Sequence, residues 1–226
     1  MDLLSSLVPQ QPAAEVVYAL LLLGLVLASL WLSKVLHRVL VLRGVKNNVA
    51  VYYNRKIIHM LAGGATAALT PYLFTSPLVP FMFALALAAL LFIPHRRGHL
   101  LSWFQTSENW YEVNFCLAWG ASLLVVWVAT SNPFYAVVPP LFISFGDAVT
   151  GLIRNMVYGR RTKSWLGNIG MLAVAAVIGY HYAGLLGVIA GIAASVVEHL
   201  DFPPYLDDNV LISLVSTLII VSGHYL

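Results

Sequence analysis

Apolar residues in this chain come in blocks close to one helical membrane crossing, about 20 residues, separated by short polar stretches. The blocks run roughly from Val16 to Leu36, Ile57 to Phe74, Leu78 to Pro94, Val113 to Thr130, Phe134 to Ile153, Ile169 to Ala183, Leu185 to His199 and Asn209 to Tyr225. The sixth and seventh are short and meet at Gly184. They are therefore either two spans or one broken or re-entrant hairpin, and the count is seven or eight. The pattern predicts an all-α, polytopic transmembrane helical bundle, with residues 1–226 forming a single integral membrane domain. No fixed-period repeat or low-complexity tract interrupts it.

Composition narrows this further. The chain is 60% hydrophobic and 9% charged, with a mean hydropathy of +0.85, far from the balance of a soluble domain. The first apolar block follows Asp2 and Glu15, with no Lys or Arg before it and no small-residue cleavage pattern, so it is expected to be retained as a span. The one cysteine, Cys116, sits in an apolar run and is expected to pack as a small hydrophobe.

Charge sets the orientation. With eight spans and an outside N-terminus, all 12 Lys and Arg residues fall on one side: Lys34 to Lys56 around the first loop, Arg96 and Arg97 in the next, and Arg154 to Lys163 in the third. The opposite loops, at Thr75 to Pro77, Ser131 to Pro133 and Ala183 to Gly184, carry none. The positive-inside rule makes the basic side cytoplasmic. The formal charge of +3 then describes a one-sided basic face that attracts anionic headgroups or nucleotides. Membrane lipids are expected partners and nucleic acid is not. Gly187-x-x-x-Gly191 is a common packing motif that permits an oligomer without indicating one.

Several polar residues stand out against this background. Asp147 lies about six residues, or 9 Å of helix, inside the cytoplasmic end of the fifth block. A carboxylate at that depth costs on the order of 2.5 to 3.5 kcal/mol unless it is paired, hydrated or metal-bound. It is therefore either a functional group or the partner of Arg55 or Lys56 in a structural ion pair. Pro139-Pro140 interrupts backbone hydrogen bonding just upstream, which is tolerated at membrane depth where the helix lines a cavity.

After that block comes a loop with Arg154, Gly159, Arg160, Arg161, Lys163, Ser164, Gly167 and Asn168. It is no P-loop, because Thr162 replaces the second motif glycine and no strand precedes it. Arg160 and Arg161 serve either as a topology signal or as phosphate contacts. Lys163 supplies a point charge, and Ser164 and Gly167 supply short-range N–H donors to a phosphate.

Asn54-Arg55-Lys56-Ile57-Ile58-His59 opens the second block, with His59 one turn inward of Arg55 and Gly63 allowing close helix approach. Glu198 ends the seventh block and Asp207-Asp208-Asn209 opens the last, where Asp207 is placed to cap the helix. Asp147, Asp208 and Glu198 together make the carboxylate inventory with which proteins hold Mg²⁺ beside substrate phosphates. His95 and His99 lack a third ligand for zinc. Glu108 and Glu112 share a helix face and either assist the site or sit solvated at the interface.

Taken together, Arg55-Lys56-x-x-His59-x-x-x-Gly63, Gly146-Asp147 followed by Gly159 and Lys163-Ser164-x-x-Gly167, and Glu198 with Asp208-Asn209 resemble the CTP-dependent lipid kinases. That family includes dolichol kinase, phytol kinase and the CTP-type diacylglycerol kinase, and is distantly related to the CDP-lipid synthases. The blocks occur in the family's order and cover about residues 55–226. Two positions depart from it: Arg154 stands where the family often has glycine, and Thr150 where it has a small residue such as alanine.

The resemblance implies a kinase that moves the γ-phosphoryl group of CTP to the hydroxyl of a long-chain isoprenoid alcohol of the dolichol or polyprenol type, with Mg²⁺. It implies Asp147 as metal ligand or base, with Lys163 and Asp208 completing the catalytic group. Arg55, Lys56, Gly159, Arg160, Ser164, Gly167 and Asn209 are then nucleotide or phosphate contacts, Glu198 is a further metal ligand, and His59 is accessory. A cytidylyltransferase making a CDP-activated lipid is the alternative, against which no Lys-Arg pair is followed four residues later by Lys-Asp. A membrane transporter is the third reading, for which neither an inverted repeat nor paired broken helices are legible.

Overall fold

The computed structural model describes residues 7–159, 162–200 and 207–226, and among these the chain is helical with no strand. Helix α1 spans Pro12–Leu42. Helix α2, Asn47–Ile58, runs through a π-helical turn, His59–Gly64, into α3, Ala65–Leu73. Helices α4, Leu78–Arg97, and α5, Tyr111–Thr130, pack against one another. Two short helices, α6 (Pro133–Ala136) and α7 (Val138–Leu141), lead through a second π-helical turn, Phe142–Gly146, into α8, Asp147–Tyr158. Helix α9, Trp165–His199, and helix α10, Asp208–His224, complete the bundle.

Among the described residues, five helical stretches are long and apolar enough to cross a membrane: Pro12–Leu42, Leu78–Arg97, Tyr111–Thr130, Pro133–Tyr158 and Trp165–His199, with Asp208–His224 apolar but shorter. The expectation of seven or eight spans is thus met in helical class but not in number by this measure. The physical reasons are specific. The block from Ile57 to Phe74 is divided by a π-turn, so neither piece is long enough alone. The sixth and seventh blocks join into the one stretch α9. Yet α9 does not run straight, because Gly184 has φ 60° and ψ −143°, a conformation open to glycine and not to other residues.

At Gly184 the chain reverses. A Cβ built on Gly179 would lie 2.2 Å from the Gly187 carbonyl oxygen, and one on Gly191 3.1 Å from Ala175, so the two arms touch backbone to backbone. Asn168 and Ser195 close the open end, with Ser195 Oγ donating to the Asn168 carbonyl at 2.7 Å and Asn168 Nδ2 to the Ser195 carbonyl at 2.6 Å. The break expected at Gly184 is present, and the two arms on either side of it pack against each other.

The stretch from Pro133 to Tyr158 is the axis of the fold. Of its most apolar window 78% is buried, against 22% for α1 and for α9 and 17% for α4. Asn132 starts it, its Oδ1 accepting from Phe134 N at 2.9 Å, with Pro133 in the first turn where a missing N–H costs nothing. Val137, Val138, Phe142 and Ile143 are fully buried within it. The outer helices turn Leu20, Leu21, Trp31, Leu90 and Val177 outward. An exterior so apolar suits a lipid surrounding and not an aqueous one.

The two π-turns lie side by side. Gly63 and Gly64 leave room for this, since a Cβ on Gly63 would sit 3.0 Å from Ser144 Oγ and one on Gly64 2.5 Å from the Phe145 ring. A π-turn advances the helix by one extra residue and re-aims the side chains beyond it. Here His59 begins the first turn and Asp147 directly follows the second.

Candidate active site

The charged residues collect at one pole of the bundle. Lys56 donates to Asp147 Oδ2 at 2.5 Å, joining α2 to α8 across 91 positions of sequence. Of the readings open for Asp147, the ion pair with Lys56 does form. It forms inside a polar cavity, lined also by Arg55, His59, Glu198, Asp208 and Asn209, so pairing and lining a site coincide. Arg55 lays its guanidinium 4.3 Å from the centre of the Tyr111 ring.

Arg154 forms a second pair. Its Nη1 and Nη2 donate to the two Glu198 oxygens at 2.7 and 2.8 Å, a bidentate contact with both side chains buried. Nη2 also reaches Asn168 Oδ1 at 2.7 Å and Nε the Ser164 carbonyl at 3.1 Å. Lys163 makes the third pair, donating to Asp208 Oδ1 at 2.7 Å and to the Glu198 carbonyl at 2.6 Å. One oxygen from each of Asp147, Glu198 and Asp208 falls within 4.8 Å of the others.

Asp207 caps α10, its Oδ1 accepting from Asn209 N at 2.5 Å, as expected. Burial pushes the Asp207 carboxyl up to about 6, against the charge-stabilising hydrogen bond from Asn209. Glu112 is buried and bonded to His95 at 2.5 Å, so it is not solvated at the interface.

Other expected contacts fall elsewhere. Gly159 ends α8 with φ 62° and open space around it, which makes it a helix stop and not a wall of the cavity. Gly167 faces Arg154, where a Cβ would lie 2.5 Å from Nε. Its lack of a side chain makes room for that guanidinium. Ser164 precedes α9, with its carbonyl accepting from Arg154. Arg160 and Arg161 lie outside the described residues.

Sequence reasoning gives no site role to Tyr52, Tyr111 or Thr150, which also line the cavity, and marks Arg154 only as a departure from a motif. The sequence does hold a signal for Arg154: an arginine directly after the end of one apolar block, with Glu198 the matching carboxylate at the end of another. For Tyr52 the signal is steric. A Cβ on Gly151 would lie 2.2 Å from the Tyr52 hydroxyl and 2.6 Å from Lys56 Cε, so Gly151 lets α2 and α8 meet at the ion pair.

No family model, curated protein or solved structure matches this chain. Fold and site define, among the described residues, a helical protein with apolar helices of membrane-spanning length and a largely buried group of carboxylates and cations.

Proposed function

We propose that this protein is a CTP-dependent lipid kinase, transferring the γ-phosphoryl group of CTP to the hydroxyl of an isoprenoid alcohol of the dolichol or polyprenol type to give the monophosphate and CDP. The observation that carries the reading is the convergence of Lys56, Asp147, Lys163, Glu198 and Asp208 from four separate sequence blocks into one ion-pair lattice. Phosphoryl transfer needs positioning and charge neutralisation more than covalent chemistry, and this donor set offers both.

The residues fit a divalent cation. Oxygens bound to one Mg²⁺ at 2.0 to 2.1 Å lie about 2.9 to 4.2 Å apart, and the three carboxylate oxygens within 4.8 Å need only a small rotation to match. Asp147 and Asp208 would hold the ion. Glu198, taken at both oxygens by Arg154, fixes that guanidinium. The chemistry a bound Mg²⁺ would supply there is neutralisation of phosphate charge. Lys56, Lys163 and Arg55 bind the triphosphate. Asn209, with a buried Oδ1 that accepts no hydrogen bond, faces the same cavity and receives a nucleotide donor.

Eight crossings with the charged pole on the cytoplasmic side accord with this reading. The arms of α9 run from the charged pole to Gly184 and back, and at 1.5 Å per residue they extend about 28 and 22 Å. The nucleotide then meets the site from the cytosol.

Purified protein in detergent, given CTP labelled at either the α- or the γ-position, tests the reading. Label from the γ-position in the lipid fraction is expected. Label from the α-position instead means a cytidylyltransferase, and no lipid label from either rejects both and leaves transport.

A further inference from the structure

We infer that His59 receives the acceptor hydroxyl and that the acceptor's chain occupies the apolar cavity beside it; the inference rests on the lipid-kinase reading above. His59 is 4% exposed and its ring stacks on Phe115, with centroids 4.0 Å apart and planes 18° apart. Its Nδ1 is buried and has no hydrogen-bond partner among the described residues. A buried acceptor left unsatisfied is destabilising, so the arrangement suits a group supplied from outside the chain.

Position says which group. The polar cavity of Asp147 and Asp208 is continued on the far side of His59 by a second cavity, and Arg55 and His59 are the residues that line both. The second cavity is apolar, walled by Val26 and Leu30 of α1, Leu87 and Leu91 of α4, and Phe115 and Trp119 of α5. It follows the first π-turn into α3, from His59 to Thr66. The helices that wall it, α1 and α4, also carry the outward-facing Leu27 and Leu90, which sets the cavity beside the apolar exterior.

A ligand that fills both has a polar head of a few atoms and a long apolar tail: a lipid alcohol. A polyprenol and a diacylglycerol share that chemistry.

In the transfer, the hydroxyl oxygen forms a bond to the terminal phosphorus while the bond from that phosphorus to its bridging oxygen breaks. The bridging oxygen keeps the electron pair and leaves on the nucleoside diphosphate. His59 Nδ1 holds the hydroxyl by accepting its hydrogen bond, and as the new bond forms the proton is released to water in the polar cavity. Asp147, committed to Lys56, remains a carboxylate throughout.

Photo-crosslinking tests the placement without requiring turnover. The full chain in detergent is irradiated with a polyprenol carrying a diazirine near its hydroxyl end, and in a parallel arm with a diacylglycerol bearing the same group. Label on residues 59–66 and 115–119 is expected with the polyprenol, competed by unlabelled polyprenol and weaker with diacylglycerol. Stronger diacylglycerol label at those residues keeps the site and overturns the choice of chain. Label confined to α9 or α10 overturns the site.

His59→Phe is expected to lower kcat/KM for the alcohol on the order of 10²-fold with the KM for CTP unchanged, and His59→Gln, which retains an acceptor, to recover part of that loss. Unchanged alcohol kinetics in His59→Phe overturns the role of His59. Should that variant not fold, Leu87→Trp fills the groove from its opposite wall and is expected to abolish crosslinking while equilibrium binding of labelled CTP persists. Persistent crosslinking in that variant overturns the placement. Crosslinking at 59–66 with no γ-label transfer would sink the kinase reading and leave the binding site standing. Transfer with crosslinking elsewhere does the reverse.

Discussion

A single residue illustrates how closely stability and chemistry are joined at the charged pole. Asp147 and Lys56 are both largely buried, so removing either charge leaves the other unpaired, at about 3 to 5 kcal/mol. Asp147→Asn is expected to lose activity by 10² to 10³-fold or more and also to lower the thermal midpoint. Lys56→Met with Asp147→Leu removes both charges and is expected to recover most of the midpoint, because replacing a buried pair with apolar groups is often neutral, while activity stays lost. Thermal unfolding in detergent beside the γ-label assay separates the two effects. Recovery of activity in the double variant would make the pair purely structural.

Gly167 carries a related prediction. Its implied role in phosphate binding and its observed place against Arg154 differ in what Gly167→Ala does. The added methyl meets a guanidinium held by four hydrogen bonds to Ser164, Asn168 and Glu198, so overpacking of about 1 to 3 kcal/mol is expected. A lower thermal midpoint together with lower activity supports that account. A normal midpoint with weakened CTP binding would return Gly167 to the phosphate.

At the scale of elements, the hairpin of α9 rests on Gly184 and on the backbone contact between Gly179 and Gly187. Gly184→Ala forces a side chain into a conformation that costs about 1 to 3 kcal/mol. Gly179→Val drives a Cβ into the facing carbonyl and separates the arms, which moves Asn168 away from Ser195 and Glu198. Both are expected to reduce the yield of monodisperse protein in size-exclusion chromatography, the second severely. Gly24→Ala, with nothing within 4 Å, is the matched control and is expected to be neutral. The hairpin was legible at Gly184 because two short apolar blocks met at one glycine. The π-turns were not, since nothing local in His59–Gly64 or Phe142–Gly146 separates a π-turn from an α-helical one, and packing against each other selects it.

The whole molecule is polar in different ways in different places. Arg55, Lys56, Arg154 and Lys163 gather with the carboxylate lattice, while elsewhere the bundle carries Tyr72 against Phe134 at 5.5 Å, Tyr135 against His224, and the Thr75 N–H bonded to Glu15 at 2.9 Å. Aromatic side chains of this kind are what a membrane interface favours. Cysteine-accessibility labelling in sealed vesicles, in a Cys116→Ala background, tests the resulting orientation. Lys46→Cys is expected to label from the cytoplasmic side and Ser131→Cys from the other. Labelling of both from one side would overturn the eight-crossing arrangement. Arg97→Ala, distant from the lattice, is expected to leave activity within about twofold, as exposed charges contribute little individually.

Helical class and an apolar exterior of membrane type were legible from the chain alone, because block length and hydropathy are local sums along it. The grouping of Asp147, Lys56, Lys163, Glu198 and Asp208 was legible through the order of motifs that the family resemblance supplies. Only the tertiary structure decided that Lys56 takes Asp147 while Arg154 takes Glu198, that Gly167 serves an arginine, and that His59 stands between a polar and an apolar cavity. Partners 44 and 91 residues apart meet through the packing of several helices at once. That packing depends on close approach at Gly63, Gly64 and Gly151, where small differences in side-chain volume select one arrangement and no periodicity records it.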